Sequence, residues 1–400
     1  MKFILSTSVW GKDYIDNFIN FTVPSLLAYK NIPSLSKKIN INYYIYTEIE
    51  LISKIKNNSN VKKLKKFLKI FYNTKIIDQN LNLSKNNNQI NNNKYYINNL
   101  CHANVIDIAN KANCPWIWIH PDNIYSNNCF QTIYNLYKED YRVIFVPGGI
   151  RTYANETKKQ INSKFKKKNV INIKSNDLVK IALKNIVSKH KSHIYNNFYN
   201  TNKFQYEVIW PINNHGIITK ITCGANPIFF FPEIKKKYFF KDVSIECSNY
   251  LDKCIINKNK VFFLDNSYNF FTCSLENNFK KEKDNTITEI YKTKKTNKLL
   301  YKPSALALAL SALDHNKAKI CNHLFLRNIK YREDANTQKN NIIWQKHELL
   351  TQKINMQVYN YINFFENRNY LFFILKILTF TQLFLIKFIN KTYNNLRKIH

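Results

Sequence analysis

The stretch Trp116-Ile117-Trp118-Ile119-His120-Pro121-Asp122-Asn123 gathers the side chains best placed to do chemistry. Four apolar residues in a row read as a buried strand, and Asp122 stands at its carboxyl end. A carboxylate there can hold a divalent metal or a ribose hydroxyl. A helix capped by Ser126 and running through Tyr137 would favour an anion close by. His120 keeps an i, i+2 spacing to Asp122. It reads either as a first metal ligand or as a strand-end histidine satisfied by its surroundings. Asp122 in turn reads either as a ligand or as a turn residue accepting from backbone N–H groups.

These residues need a frame. Phe3 to Val9 reads as a strand ending at Trp10-Gly11, followed by a helical pattern through Leu27 that Pro24 should kink. Ile41 to Tyr46 reads as a second strand. Residues 61–71 read as a Lys-rich amphipathic helix with Leu64, Phe67, Leu68 and Phe71 facing in, and Lys75-Ile76-Ile77 as a third strand. The Asn-rich run 79–94 reads as a surface loop. A helix over 96–112 precedes the Trp116 strand, and Tyr141 to Val146 forms another before Pro147-Gly148-Gly149. Such alternation predicts an α/β protein with a layered, mostly parallel mixed sheet. Ligands then belong at the carboxyl ends of the strands, near a switch in strand order. Downstream come a helix over 177–187, strand-like segments within 206–232, and a strand at 260–264 ending at Asp265. The organisation expected is a domain over 1–278, a polar linker over 279–300, a helical extension over 301–366 and an amphipathic helix within 367–400.

Composition removes several classes. Among 400 residues there are five glycines, at 11, 148, 149, 216 and 224, which cannot build a G-x-G-x-x-G fingerprint or a Walker A loop. The eight cysteines form no C-x-x-C and have no histidine at zinc spacing, so they read as small hydrophobes in a reducing compartment. The net charge of +35 would suit a polyanion. Yet arginine occurs at six positions only, while Lys, Asn, Ile, Tyr and Phe, all with AT-only codons, abound. An AT-rich genome accounts for that bias, and specific nucleic-acid recognition, which leans on Arg, is not expected. The first residues lack a cleavage site, so no signal peptide is expected and a cytoplasmic location is.

Several short blocks in a shared order resemble a family of bacterial glycosyltransferase-like proteins of GT-A (nucleotide-diphospho-sugar transferase) type. They are Trp10-Gly11-Lys12 with Tyr14, Pro24-Ser25-Leu26-Leu27 and Asn31-Ile32-Pro33; the Trp116–Ser126 stretch; 177–183 with His193, Trp210, Gly216 and Pro227; and Val261 to Ser267. They span residues 1–275, with an echo near His323 and Trp344. The resemblance implies a nucleotide sugar bound at the strand ends, its diphosphate on manganese or magnesium. It places Asp122 as the metal carboxylate; His120, by its i, i+2 spacing, stands where a first ligand would. Trp10, Gly11 and Asn123 would lie near the nucleotide, and Arg151 near phosphate. The chain departs from the family in lacking Asp-x-Asp and in reading Gly224-Ala225-Asn226-Pro227 where the family carries histidines. An inverting transfer needs a general base; Asp265 and Glu246 are the candidates, with His215 and His193 behind them.

Tyr370 to Phe388 is apolar but interrupted by Lys376, Gln382 and Lys387. It suits a helix lying on an anionic membrane surface better than one spanning it. Packing on the protein's own core is the other reading. The function expected is sugar transfer from a nucleotide sugar to a cell-surface glycan or lipid-linked acceptor, at the inner face of the cytoplasmic membrane. The alternatives are a degenerate, membrane-associated scaffold of the same fold and a charge-driven nucleic-acid binder.

Overall fold

A computed structural model describes residues 1–86, 90–146, 149–187, 207–212, 215–221, 227–230, 258–277, 329–334 and 337–366. Its strands are β1 (Lys2–Ser8), β2 (Asn40–Tyr46), β3 (Lys69–Asn73), β4 (Trp116–Trp118), β5 (Asn123–Tyr125), β6 (Val143–Phe145) and β7 (Ile150–Tyr153). They continue with β8 (Lys166–Lys167), β9 (Val170–Ile171), β10 (Glu207–Ile212), β11 (Gly216–Ile221), β12 (Pro227–Phe230), β13 (Val261–Phe263), β14 (Thr272–Glu276) and β15 (Ile329–Arg332).

Seven of them form the main sheet, in the order β13-β6-β12-β4-β1-β2-β3. All are parallel except β12, which runs against both β4 and β6. The chain is therefore an α/β protein with a mostly parallel sheet, as the alternation predicts. Side chains alternate across the pleat, so each strand feeds two cores. Ile4, Trp116, Trp118, Val143 and Phe145 pack on one face with Ile97, Cys101, Val105 and Ala109 of the helix Ile90–Lys111. Phe3, Leu5, Ile117, Ile144 and Phe229 pack on the other with the helical stretches between residues 12 and 64 and the helix Cys129–Lys138.

Two smaller sheets flank this one. β5-β14-β7 lies beyond the end of β4, and β10-β11-β15 adjoins the segment after β13. The stretch read as a helical extension thus also supplies a strand, β15, paired with β11. It ends in the helix Gln338–Glu366.

Several local expectations are corrected. The third strand is Lys69–Asn73, not 75–77, and the helix before it stops at Leu64. Leu64, Phe67, Leu68 and Phe71 mimic a helical period, but Phe71 is exposed and stacks on Tyr44 of the neighbouring strand. β3 is an edge strand, where lysines are common because they deter further pairing. The Asn-rich run is helical through Asn86 and again from Ile90, because Ile76 and Leu81 pack on the first core and override the low propensity of asparagine. Ser126 does not cap the helix after Asp122. That helix starts at Cys129, and the Ser126 hydroxyl accepts instead from the Phe271 N–H. The expected linker, residues 301–328 of the expected extension and the segment 367–400 lie outside the described residues.

Candidate functional site

The sheet order contains a switch. The chain lays down β1, β2 and β3 in one direction, then returns to place β4 on the other side of β1. Ligands of open α/β sheets bind in the crevice such a reversal leaves at the carboxyl ends. Here the two strand ends are Trp10-Gly11 after β1 and His120-Pro121-Asp122 after β4. The structure therefore brings four of the expected residues to one place. Gly11 has φ +77, a backbone region that favours glycine, and a side chain added there would meet no protein atom within 4 Å. Trp10 is half-buried against the first core.

The turn bearing Asp122 is tied down at nearly every backbone group. The Ile119 carbonyl accepts from the Thr7 hydroxyl at 2.7 Å, and the Pro121 carbonyl from the Thr22 hydroxyl at 2.8 Å. The His120 N–H donates to the Tyr125 hydroxyl at 3.0 Å, and the Leu275 N–H donates to the Asp122 carbonyl at 3.0 Å. Thr22 is in position because the helix around Pro24 opens into a π-turn over Phe18–Thr22, closed by Val23 N–H to the Phe18 carbonyl. The turn leads into β5 rather than into a helix, so the expectation of a helix N-terminus beside Asp122 is corrected.

Burial and the nearby Arg151 charge push the His120 imidazole down to about 4, so it is neutral at pH 7. Its ring packs at a tilt on Trp118, with centroids 4.0 Å apart. Trp118 also meets His102 edge to face; His102 is buried, with neither ring nitrogen hydrogen-bonded. Burial and the neighbouring His120 push it down to about 3. Arg151 sits on β7, exposed, 3.3 Å from Glu276. It faces Ser274 from one side of β14 while Asn123 faces Ser274 from the other. Two strand spacings of ~4.8 Å separate Arg151 from Asn123. The Asn123 carboxamide is itself engaged, donating to Thr272 at 3.3 Å and accepting from Ser274 at 2.6 Å.

Asp265 stands elsewhere. The end of β13 is three strands from β4, ~14 Å across the sheet. Its carboxylate lies 3.3 Å from the Lys330 ammonium, which also reaches Glu348 at 3.2 Å. Glu246, Gly148 and His193 lie outside the described residues.

Two acidic groups were not singled out by the sequence. Glu48, just past the carboxyl end of β2, accepts from the Gly11 N–H at 2.7 Å. Its position after an apolar strand is the same signal that marks Asp122. Asp334 is the centre of a larger cluster. It accepts from His215 Nδ1 at 2.9 Å, Tyr268 at 3.2 Å, Arg332 Nε at 3.0 Å and Trp344 at 3.0 Å. Burial pushes its carboxyl up, but the hydrogen bonds from Arg332, His215 and Trp344 outweigh this and hold it below the ordinary carboxylate value. An ionised Asp334 fixes Nδ1 of His215 as the donor, and Nε2 is the ring nitrogen left for another partner. An Arg and a Trp within twelve residues of one another, in a chain poor in both, are the only trace of this cluster in the sequence.

Among the described residues no group of three His, Cys, Asp or Glu side chains is arranged to hold a metal. Asp122 and the neutral His120 provide two donor groups.

No family model matches the chain, and no curated protein matches it. Three chains among solved structures match. One is the apo form of mouse xyloside xylosyltransferase 1, with 12% identity and a TM-score of 0.26. The overlap covers 42% of this chain and 60% of that one. A superposition that loose transfers neither fold nor activity.

Proposed function

We propose that the chain is a glycosyltransferase that moves a sugar from a nucleotide-sugar donor to a glycan or lipid-linked acceptor. The observation that carries the proposal is the pair of neighbouring strand ends at the β1/β4 switch. There Trp10-Gly11 meets a turn whose backbone is pinned to both sheets while it presents His120 and Asp122. A pinned turn holds its side chains for transition-state charge without reorganisation. The mostly parallel sheet with one reversed strand is in keeping with the GT-A resemblance of residues 1–275.

In this reading Trp10 and Gly11 hold the nucleoside, and Arg151 neutralises a phosphate oxygen. Asp122 and His120 would hold manganese or magnesium, which supplies Lewis-acid stabilisation of the departing diphosphate. The base is His215, aligned by Asp334 at the same end of the sheet as Asp265, so the acceptor must bridge from there to the Asp122 turn. The His215 Nε2 takes the proton of the acceptor hydroxyl as that oxygen bonds to the anomeric carbon and the nucleotide diphosphate leaves with the bonding pair. Asp265, engaged with Lys330, is the weaker candidate.

The test is thermal unfolding with UDP, GDP, CDP, CMP and dTDP, each with manganese or with EDTA. A nucleotide at 100 times its dissociation constant adds ~2.7 kcal/mol. One nucleotide should raise the midpoint, and Asp122→Ala should abolish the manganese-dependent part. A shift indifferent to EDTA keeps the transferase and removes the metal. No shift with any nucleotide in a folded sample overturns the proposal in favour of a non-catalytic scaffold.

A further inference from the structure

Among its described side chains the helix Gln338–Glu366 docks by one side, where Trp344 and Thr351 are buried and Glu348 reaches Lys330. The opposite side exposes Ile342 (60%), Leu349 (61%) and Met356 (52%). At 100° per residue these three fall within about 40° of Ile342, a stripe ~21 Å long. Exposed Lys339 and Lys346 lie within about 60° of the same line, and between the apolar residues stand exposed Gln345 and Gln352. The helix has two carboxylates, Glu348 and Glu366, and both lie about 120° away. Large apolar side chains flanked by lysine, with no acid on that side, define a helix face suited to an anionic interface.

We infer that this face binds the surface of an anionic lipid bilayer, with Ile342, Leu349 and Met356 entering the headgroup–acyl boundary and Lys339 and Lys346 meeting lipid phosphates. Charge complementarity selects this occupant over the two others within reach. A second copy would set lysines against lysines with no acid between them. The chain's own residues 367–400 carry six Lys and Arg and no Asp or Glu, so they too would bring like charge. No described helix is long and apolar enough to cross a membrane, and the inference concerns a helix lying in the interface. It stands apart from the sugar-transfer reading and uses none of its residues.

The experiment is co-sedimentation of the full chain with phosphatidylcholine vesicles, with and without phosphatidylserine. The pair Leu349→Ser/Met356→Ser leaves the charge unchanged. It should lower partitioning onto the anionic vesicles roughly tenfold or more, since two buried side chains are lost. Lys339→Gln/Lys346→Gln should weaken binding and flatten its salt dependence. Circular dichroism confirms that each variant is folded; both substitution pairs are on exposed positions. Parent-like binding of the serine pair would mean that bulk charge alone attracts the chain, and would overturn the inference. So would a concentration-dependent dimer that the serine pair abolishes. A fluorophore on Leu349→Cys already shielded before vesicles are added would likewise overturn it, in favour of the chain's own tail.

Discussion

Replacing His102 by phenylalanine should stabilise the protein, and more so in acid. The imidazole is buried between Trp116 and Trp118, with ring centroids 5.4 and 4.3 Å away and no hydrogen-bond partner for either nitrogen. Phenylalanine keeps the ring contacts and removes the stranded polar atoms, a gain of ~1–3 kcal/mol at neutral pH. The pH dependence follows from linkage. His102 and His120 are held down at about 3 and about 4 in the folded state, against ~6.5 when unfolded. Their contribution is intact above pH ~6.5. It is lost as pH falls below that value toward the folded pKa, because the unfolded chain then binds more protons. Each histidine contributes a slope of ~1.4 kcal/mol per pH unit in that window. Between pH ~7.5 and ~5 the parent should lose about 4 kcal/mol from the pair, and His102→Phe about half of that. Urea unfolding followed by tryptophan fluorescence at the two pH values reads both numbers. An equal acid loss in parent and variant, or a variant less stable at both pH values, would refute the reasoning.

Other substitutions probe the remaining contacts. Thr22→Val removes the hydroxyl that holds the Pro121 carbonyl. It should cost ~1 kcal/mol in chemical denaturation and weaken nucleotide binding while the fold persists by circular dichroism. Gly216→Ala is expected to be far worse. Gly216 has φ +130, and an added Cβ would stand 2.0 Å from the Tyr331 carbonyl oxygen, so β11 must part from β15; a loss on the order of 3 kcal/mol should appear in the unfolding midpoint. Asp334→Asn strips the buried Arg332 guanidinium of its counter-charge and should cost ~3 kcal/mol. Asp265→Asn, at a partly exposed pair, should stay within ~1 kcal/mol of the parent in the same assay.

The parts of the fold that were legible are those decided by burial alone. β1, β2, β4, β6 and β13 announce themselves as apolar runs because both of their faces are covered. β3 was illegible because one of its faces meets water at Lys69 and Phe71, and Lys69 with the lysines before it imitates the polar side of a helix. The helix through the asparagines was illegible because its stability comes from packing Ile76 and Leu81, not from propensity. The strand-end position of Asp122 was legible because a single strand sets it. The Asp334 cluster was not, because its partners come from four segments that only the folded chain unites, and Asn123 shows the converse. It sits beside the marked carboxylate in sequence, yet its carboxamide is committed to Thr272 and Ser274.

The Asp334 cluster also bears on how the chain reaches this form. His215 is 119 residues before its partner, and Tyr268 is 66 before it. Closing loops of that length is slow, because chain entropy is lost before any contact repays it. The His215 hairpin can form early, but it stays unlatched until synthesis has passed Trp344. A ribosome-bound chain stopped before Asp334 should therefore expose Tyr268 and the edge of β11 to proteases that leave the β1–β4 half uncut. A segment made late is then the clasp that closes a middle made long before.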